Sequence, residues 1–176
     1  MIHILTGPVH SGKTSLLQRV TAHLKNQNIA ISGYLSLCVQ ENEKFIGYDL
    51  YDLKLDTQAP FIRKKGKEHW QRIGAYFFIP ETLDYAQNII LHSDEADFCI
   101  IDEVGPLELE TKGVWPALEK VLAFPTPDYV LVVRDTILKD WVEYLGQSRT
   151  KIYNISDKEL YSKMIQYLGK KNTKFS

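Results

Sequence analysis

Eight residues near the start of the chain limit its fold more than any other feature. Gly7-Pro8-Val9-His10-Ser11-Gly12-Lys13-Thr14 fits the pattern G-x-x-x-x-G-K-[ST]. The run before it, residues 2–6, is β-branched and apolar and stops at Gly7. After it, Leu16, Leu17, Val20 and Leu24 recur at helical spacing through residues 15–27. Strand, glycine turn and amphipathic helix form the opening of a βα unit, the context that the motif requires. The chemistry accounts for each fixed position. Glycines let the backbone curl so that successive N–H groups point at phosphate oxygens. The helix that starts near Lys13 adds the partial positive charge of its N-terminus. Lys13 reaches the β- and γ-phosphates of a nucleotide, and the Thr14 hydroxyl is a hard oxygen ligand for Mg²⁺. The candidate nucleotide-binding residues are therefore Gly7, Pro8, Val9, His10, Ser11, Gly12, Lys13, Thr14 and Ser15. His10 reads as a solvent-facing position within the loop.

The rest of the chain alternates strands with helices. Residues 30–39 and 45–53, joined by a polar turn at 40–44, read as a β-hairpin. Residues 54–72, with Pro60 and the basic run Arg63, Lys64, Lys65 and Lys67, read as an irregular, solvated loop. A short strand is expected at 73–79, and a helix at 81–92 with Leu83, Tyr85, Ala86 and Ile90 inward. Residues 97–102 form a continuous apolar run ending in an acid, as in strands buried on both faces of a parallel sheet. A helix over 112–124 would hold Pro116 in its first turn. A buried strand at 128–134, a helix at 137–146, a strand at 151–155 and a helix at 157–168 follow, with a polar tail from Gly169. This order predicts an α/β fold: a mostly parallel central sheet flanked by helices, with the hairpin as an antiparallel addition at its edge. No linker or repeat divides the chain, and 176 residues suit one P-loop domain over 1–176.

Composition removes several classes of function. The formal net charge is −1, so there is no general basic field for nucleic acid. The first residues lack a basic segment followed by a long apolar one, and apolar runs such as 129–133 are too short to span a bilayer. The expectation is no membrane partner and a cytoplasmic location. Cys38 and Cys99 lie in apolar strand-like runs without a Cys-x-x-Cys, and both are expected to be buried.

Magnesium in such a site needs a second anchor at the end of a neighbouring buried strand. Asp102 ends the apolar run, and Glu103 follows it. Asp102 suits the metal's shell, and Glu103 suits orienting or deprotonating an attacking water. Phosphoryl transfer depends mostly on positioning and charge neutralisation, so one metal and one base are enough. Lys13 and Glu103 are thus the catalytic candidates, and Thr14 and Asp102 the metal candidates. Arg72, Arg134 and Arg149 are the arginines considered for the γ-phosphate, each weighed against a surface or salt-bridge role. Trp70 and Tyr76 are assigned to core packing ahead of base stacking. No Asn-Lys-x-Asp is present for guanine recognition.

Asp102-Glu103-Val104-Gly105-Pro106-Leu107-Glu108-Leu109 resembles the Asp-Glu-Ile-Gly-x-Met-Glu-Leu signature of the THEP1-type nucleoside-triphosphatases. Ser32-Gly33-Tyr34, Gly47-Tyr48-Asp49-Leu50 and Arg72-Ile73-Gly74-Ala75-Tyr76 are similar to further segments of that family, in the family's order. The resemblance implies a RecA-like P-loop NTPase that hydrolyses ATP, GTP and other triphosphates with Mg²⁺, slowly and with broad base tolerance. Two departures stand out. Val9 and His10 occupy positions where the family's loop usually carries Pro-Gly, and Ser15 replaces its last Thr. Ser156-Asp157 replaces an Asn-Arg pair after the last strand, which bears on contacts to the base. Two other functions share this loop: a small-molecule or nucleotide kinase, and a nucleotide-dependent switch read by a partner. Glu103 beside Asp102 favours water as the acceptor; the sequence identifies no protein partner.

Overall fold

The computed structural model describes residues 1–169, so the polar tail beyond Gly169 lies outside the described residues. The strands are β1 (Ile2–Gly7), β2 (Ile31–Glu41), β3 (Lys44–Asp52), β4 (Thr57–Arg63), β5 (Gln71–Ile73), β6 (Tyr76–Phe78), β7 (Phe98–Val104), β8 (Asp128–Arg134) and β9 (Thr150–Asn154). The helices are α1 (Lys13–Asn26), α2 (Pro80–Leu91), α3 (Pro106–Leu109), α4 (Trp115–Leu122), α5 (Leu138–Leu145) and α6 (Leu160–Leu168). All nine strands join one sheet in the order β5-β6-β4-β3-β2-β7-β8-β1-β9. From β2 to β9 the pairings are parallel; from β2 outward to β5 they are antiparallel. The fold is α/β as expected, with helices on both faces of a mixed sheet.

The parallel strands read as unbroken apolar runs because both of their faces are covered. In β8, Tyr129, Leu131 and Val133 point into the core under α2, α4 and α5, while Val130 and Val132 point into the core under α1 and α6. The same parity divides Cys99 and Ile101 of β7 from Phe98 and Ile100. The expected face of α1 is buried, with Leu16, Leu17, Val20 and Leu24 against the sheet. Pro80 and Pro116 sit in the first turns of α2 and α4, where a missing N–H costs nothing.

Three expectations change. The stretch 54–72 is not irregular: it holds β4, and residues 73–79 hold a turn between β5 and β6 rather than a single strand. Pro60 and the basic residues conceal β4 in the sequence. Pro60 is tolerated because it lies opposite Asp49 where the β3–β4 register shifts. The tight connection before β4 is tied by Asp52, whose carboxylate accepts the N–H groups of Lys54 (2.7 Å) and Leu55 (3.0 Å). Secondly, the hairpin is no mere edge addition, since β2 is itself part of the parallel core, beside β7. Thirdly, Cys38 is exposed, because β2 beyond Leu37 runs past the helical cover; Cys99 alone is buried. Among the described residues no helix is long and apolar enough to cross a membrane.

Where β2 crosses β7 the backbones nearly touch. Gly33 has φ +104°, and a Cβ there would lie 1.9 Å from the Ile100 carbonyl oxygen. Backbone on both sides leaves nothing to yield. Gly33→Ala is expected to destabilise the fold by about 3 kcal/mol or more, read from the midpoint of chemical unfolding. A loss within experimental error would mean that β2 can move away from β7 freely.

Candidate functional site

Because β1, β8 and β7 are parallel neighbours, their C-terminal ends share one edge of the sheet, where open α/β sheets bind ligands. β1 delivers Gly7, β8 delivers Arg134 directly opposite Gly7 in register, and β7 delivers Asp102 and Glu103. The residues proposed from sequence for the loop and the acid pair are therefore brought together.

The loop is shaped by its glycines. At Gly7 (φ +148°) a Cβ would fall 2.3 Å from the Ile155 side chain, and Gly12 (φ +90°) is the left-handed residue that starts α1. Pro8, Val9, His10, Gly12 and Ser15 are exposed, and Ser11 donates its hydroxyl to the Pro8 carbonyl at 2.7 Å. His10 faces solvent as expected. Lys13 is buried, and its ammonium donates to the carbonyls of Gly7 (2.9 Å) and Pro8 (2.6 Å). Burial lowers the Lys13 pKa, while the charges of Glu103 and Asp102 oppose that shift.

Thr14 Oγ1 donates to Asp102 Oδ2 at 2.8 Å. The Ser36 amide donates to the same oxygen at 3.3 Å, and the Ser36 hydroxyl donates to the Asp102 carbonyl. Burial pushes the Asp102 carboxyl up to about 6, against the pull of these hydrogen bonds. A hydroxyl and a carboxylate this close are a hard-oxygen pair. Among the described residues no three or more His, Cys, Asp or Glu side chains group as a metal cage. That donor set suits Mg²⁺, which keeps water and phosphate oxygens in its shell, better than metals that need a full protein cage.

Glu103 is half-buried and accepts from Arg134 Nε, a contact that raises the Arg134 pKa. Arg134 thus belongs to the site. Arg149 does not: its guanidinium donates to the Leu122 carbonyl at 2.7 Å. Arg72 lies on the cavity rim, exposed, with Nε near the Gly74 carbonyl. Of the basic run, Lys64, Lys65 and Lys67 are exposed as expected, and Arg63, the last residue of β4, is half-buried. Arg63 is paired with Asp49 at 2.6 Å, while Lys64 lies over the Phe45 ring and Lys67 over Trp70. Trp70 and Tyr76 are both half-buried, outside the core, since β5 and β6 form the sheet's thin outer end.

Four contributors escaped the sequence reading. Ser36 carries no motif, and only its neighbourhood to Gly33-Tyr34 hints at it. Tyr34 and Tyr48 stood in recognisable segments without a role. Glu108 stood in the quoted signature, and its task is now clear. Buried on α3, it accepts the Gly105 amide at 2.8 Å and the Val114 amide at 3.2 Å, one on each oxygen. It thereby fixes the segment that follows Glu103. All these parts surround one cavity of about 1070 Å³.

A family model described as NTPase matches residues 2–164 of the chain. The nucleoside-triphosphatase THEP1 of Thermoplasma acidophilum is 31% identical over 125 residues, covering 70% of this chain and 68% of that protein. THEP1 of Hyperthermus butylicus is 28% identical over 130 residues, covering 73% and 69%. A cancer-related nucleoside-triphosphatase homolog of Bos taurus is 30% identical, covering 69% and 68%. Two solved structures share the fold. One is a human cancer-related nucleoside triphosphatase (TM-score 0.74, 20% identity, 98% of each chain). The other is THEP1 from Aquifex aeolicus (TM-score 0.73, 18% identity, 96% of this chain and 99% of that one).

Glu108 makes the site's stability depend on pH. Burial pushes its carboxyl up from 4.5 to about 7. The native chain therefore holds a proton that the unfolded chain has released across that window, so stability falls as pH rises through it. Asp102 adds a fall between 3.8 and about 6. Without metal, Glu108→Gln is expected to flatten the fall above pH 6, on the order of 2 kcal/mol. The readout is the slope of unfolding free energy against pH, because the Gln amide nitrogen cannot accept the second backbone bond and lowers the level throughout. An unchanged slope would show that Glu108 is not the group responsible.

Proposed function

The chain belongs to the THEP1-type nucleoside-triphosphatase family, and from that premise we propose that it is one P-loop domain that hydrolyses nucleoside triphosphates to the diphosphate and phosphate with Mg²⁺. The observation that carries the reading is the Thr14–Asp102 hydrogen bond with Glu103 beside it: loop, metal anchor and base border one cavity. The loop from Gly7 to Ser15, through its N–H groups other than at Pro8, and the Lys13 ammonium hold the β- and γ-phosphates. Thr14 and Asp102 would hold Mg²⁺, which would supply charge neutralisation for the diphosphate. Glu103, fixed by Arg134 through Oε1, offers its other oxygen to the attacking water. The water oxygen bonds to Pγ, the bond from Pγ to the bridging oxygen breaks, and the water proton passes to Glu103. Arg134 stands where charge builds on the transferring group and compensates it.

Broad base tolerance fits the same reading. The residues that border the cavity belong to the phosphate loop and to its β7 side, and none follows β9. Binding through the triphosphate serves ATP, GTP, CTP and UTP alike. The same reading sets the enzyme in the cytoplasm, where these substrates and Mg²⁺ coexist, and needs neither membrane nor nucleic acid.

Phosphate release from the four triphosphates, with and without Mg²⁺, tests this. The native chain is expected to release phosphate only with the metal. Lys13→Ala should lose both binding and turnover. Glu103→Gln should bind nucleotide yet lose about 10²–10⁴-fold in kcat, and Arg134→Ala about 10–10³-fold. Native-like turnover by Glu103→Gln would remove Glu103 from the mechanism.

A further inference from the structure

Hydrolysis needs room for one water beyond the terminal phosphate, a liquid volume of about 30 Å³. The cavity has about 1070 Å³ and does not end at Glu103. The Thr14–Asp102 contact marks the β7 side of the loop as the side where a metal and a terminal phosphate would be held. The cavity continues in that same direction, across the end of β2 and onto the antiparallel strands β3, β4, β5 and β6. Its far wall is aromatic. Behind that wall, buried in the core, Tyr34, Phe61 and Phe78 form a chain of edge-to-face rings, with centroids 5.9 Å and then 5.5 Å apart. Tyr48 and Tyr76 stand beside the Glu103–Arg134 pair with their ring centroids 6.5 Å apart. Burial raises the Tyr48 pKa, and the charges of Tyr76 and Glu103 add to the rise, which keeps its phenol neutral beside the pair.

Charge narrows the occupant. Of the cations around this half, Arg134 is paired with Glu103 and Lys112 with Glu110. Arg72 lines the cavity rim, exposed, with its guanidinium over the Phe77 ring. Among the described residues, the lining of this half offers no two uncommitted cations to grip a second phosphate ester, whereas the half-buried rings of Tyr48 and Tyr76 suit a flat, uncharged body.

We propose that the aromatic half of the cavity is an acceptor site for a nucleoside, and that the chain transfers the γ-phosphoryl group of a bound triphosphate to the nucleoside's hydroxyl. The proposal rests on the triphosphate-binding reading above. Glu103 lies at the junction of the two halves. The nucleoside hydroxyl oxygen forms a bond to Pγ, the bond from Pγ to the bridging oxygen breaks, and the diphosphate leaves with the electron pair. The hydroxyl proton passes to a Glu103 carboxylate oxygen. The product is a nucleoside monophosphate. Without a nucleoside, water takes the same place.

The test uses the full chain with Mg²⁺ and ATP labelled at the γ-phosphate, in the presence of adenosine, guanosine, cytidine, uridine or thymidine. Label is separated as inorganic phosphate and as nucleoside monophosphate. The expected result is labelled monophosphate from at least one nucleoside, absent with Lys13→Ala. Tyr76→Ala should lower the ratio of labelled monophosphate to phosphate by about tenfold. As a second measurement, the accepted nucleoside should bind by calorimetry when a non-hydrolysable ATP analogue is present, and bind more weakly in Tyr76→Ala. Labelled phosphate with every nucleoside, and labelled monophosphate with none, overturns the acceptor site and leaves the hydrolase intact. No label released in any form overturns both. Transfer to nucleoside monophosphates but to no nucleoside overturns the assignment of an uncharged ligand.

Discussion

The hydrogen bond from Thr14 to Asp102 joins residues 88 positions apart and depends on nearly every long-range feature of the fold. Thr14 is held by the first turn of α1, which begins only because Gly12 adopts a left-handed conformation. Asp102 is held by β7, which lies one strand away from β1 with β8 between them. A slip of one residue in β7 would turn Asp102 away from the loop and bring Ile101 or Glu103 into its place. That register is fixed from both faces, because Phe98 and Ile100 belong to one core and Cys99 and Ile101 to the other. The doubly buried sheet thus does for the site what neither short motif does alone.

Burial at this edge has an electrostatic cost. Asp102 and Glu108 are both buried acids, and both carboxyls are pushed upward in pKa. Each is tolerated because it accepts two hydrogen bonds, on Oδ2 alone in Asp102 and on both oxygens in Glu108. Asp102 accepts Thr14 and Ser36, and Glu108 accepts two backbone amides. The two differ in what can relieve them. Asp102 faces the cavity edge beside the Thr14 hydroxyl, so a divalent cation there would favour its charged form. Glu108 has both oxygens committed to the chain itself, so its role is to hold the segment after Glu103 in place. One acid is arranged to meet a ligand, the other to keep the first pair aligned.

Much of this was legible in the sequence. The strand, loop and helix from Ile2 to Asn26, the doubly buried β7 and β8, and the acid pair at the end of β7 follow from period, glycine placement and charge. The family resemblance tied them together and agrees with the family found by comparison. The antiparallel end of the sheet was much less legible. β4 looks like a loop because Pro60 interrupts it and a basic run begins at its last residue, Arg63, and only the register shift at Asp49 shows why a proline fits there. β5 and β6 are three residues each, too short for a period to declare itself. Ser36 acts through its backbone amide as much as its hydroxyl, and backbone groups leave no trace in a residue pattern. The Glu103–Arg134 pair joins two strand ends, so it becomes visible only once β7 and β8 are known to be neighbours.

His10 shows how a binding loop survives a change in its own signature. The related loops commonly carry glycine where this chain has His10, and the backbone there still takes φ +59°. For a residue with a Cβ that conformation costs roughly 1–2 kcal/mol. The loop retains it because the flanking positions leave little choice. Gly7 and Gly12 fix the two ends with positive φ, Ser11 is tied to the Pro8 carbonyl, and Lys13 bridges the Gly7 and Pro8 carbonyls from below. His10 is exposed at the mouth of the cavity. A side chain is therefore admitted at this position at a local backbone cost, while Gly7, where a Cβ would strike Ile155, has no such freedom. Gly7 is thus fixed by where a Cβ would fall, and Gly12, whose Cβ would meet nothing, by its φ of +90° alone.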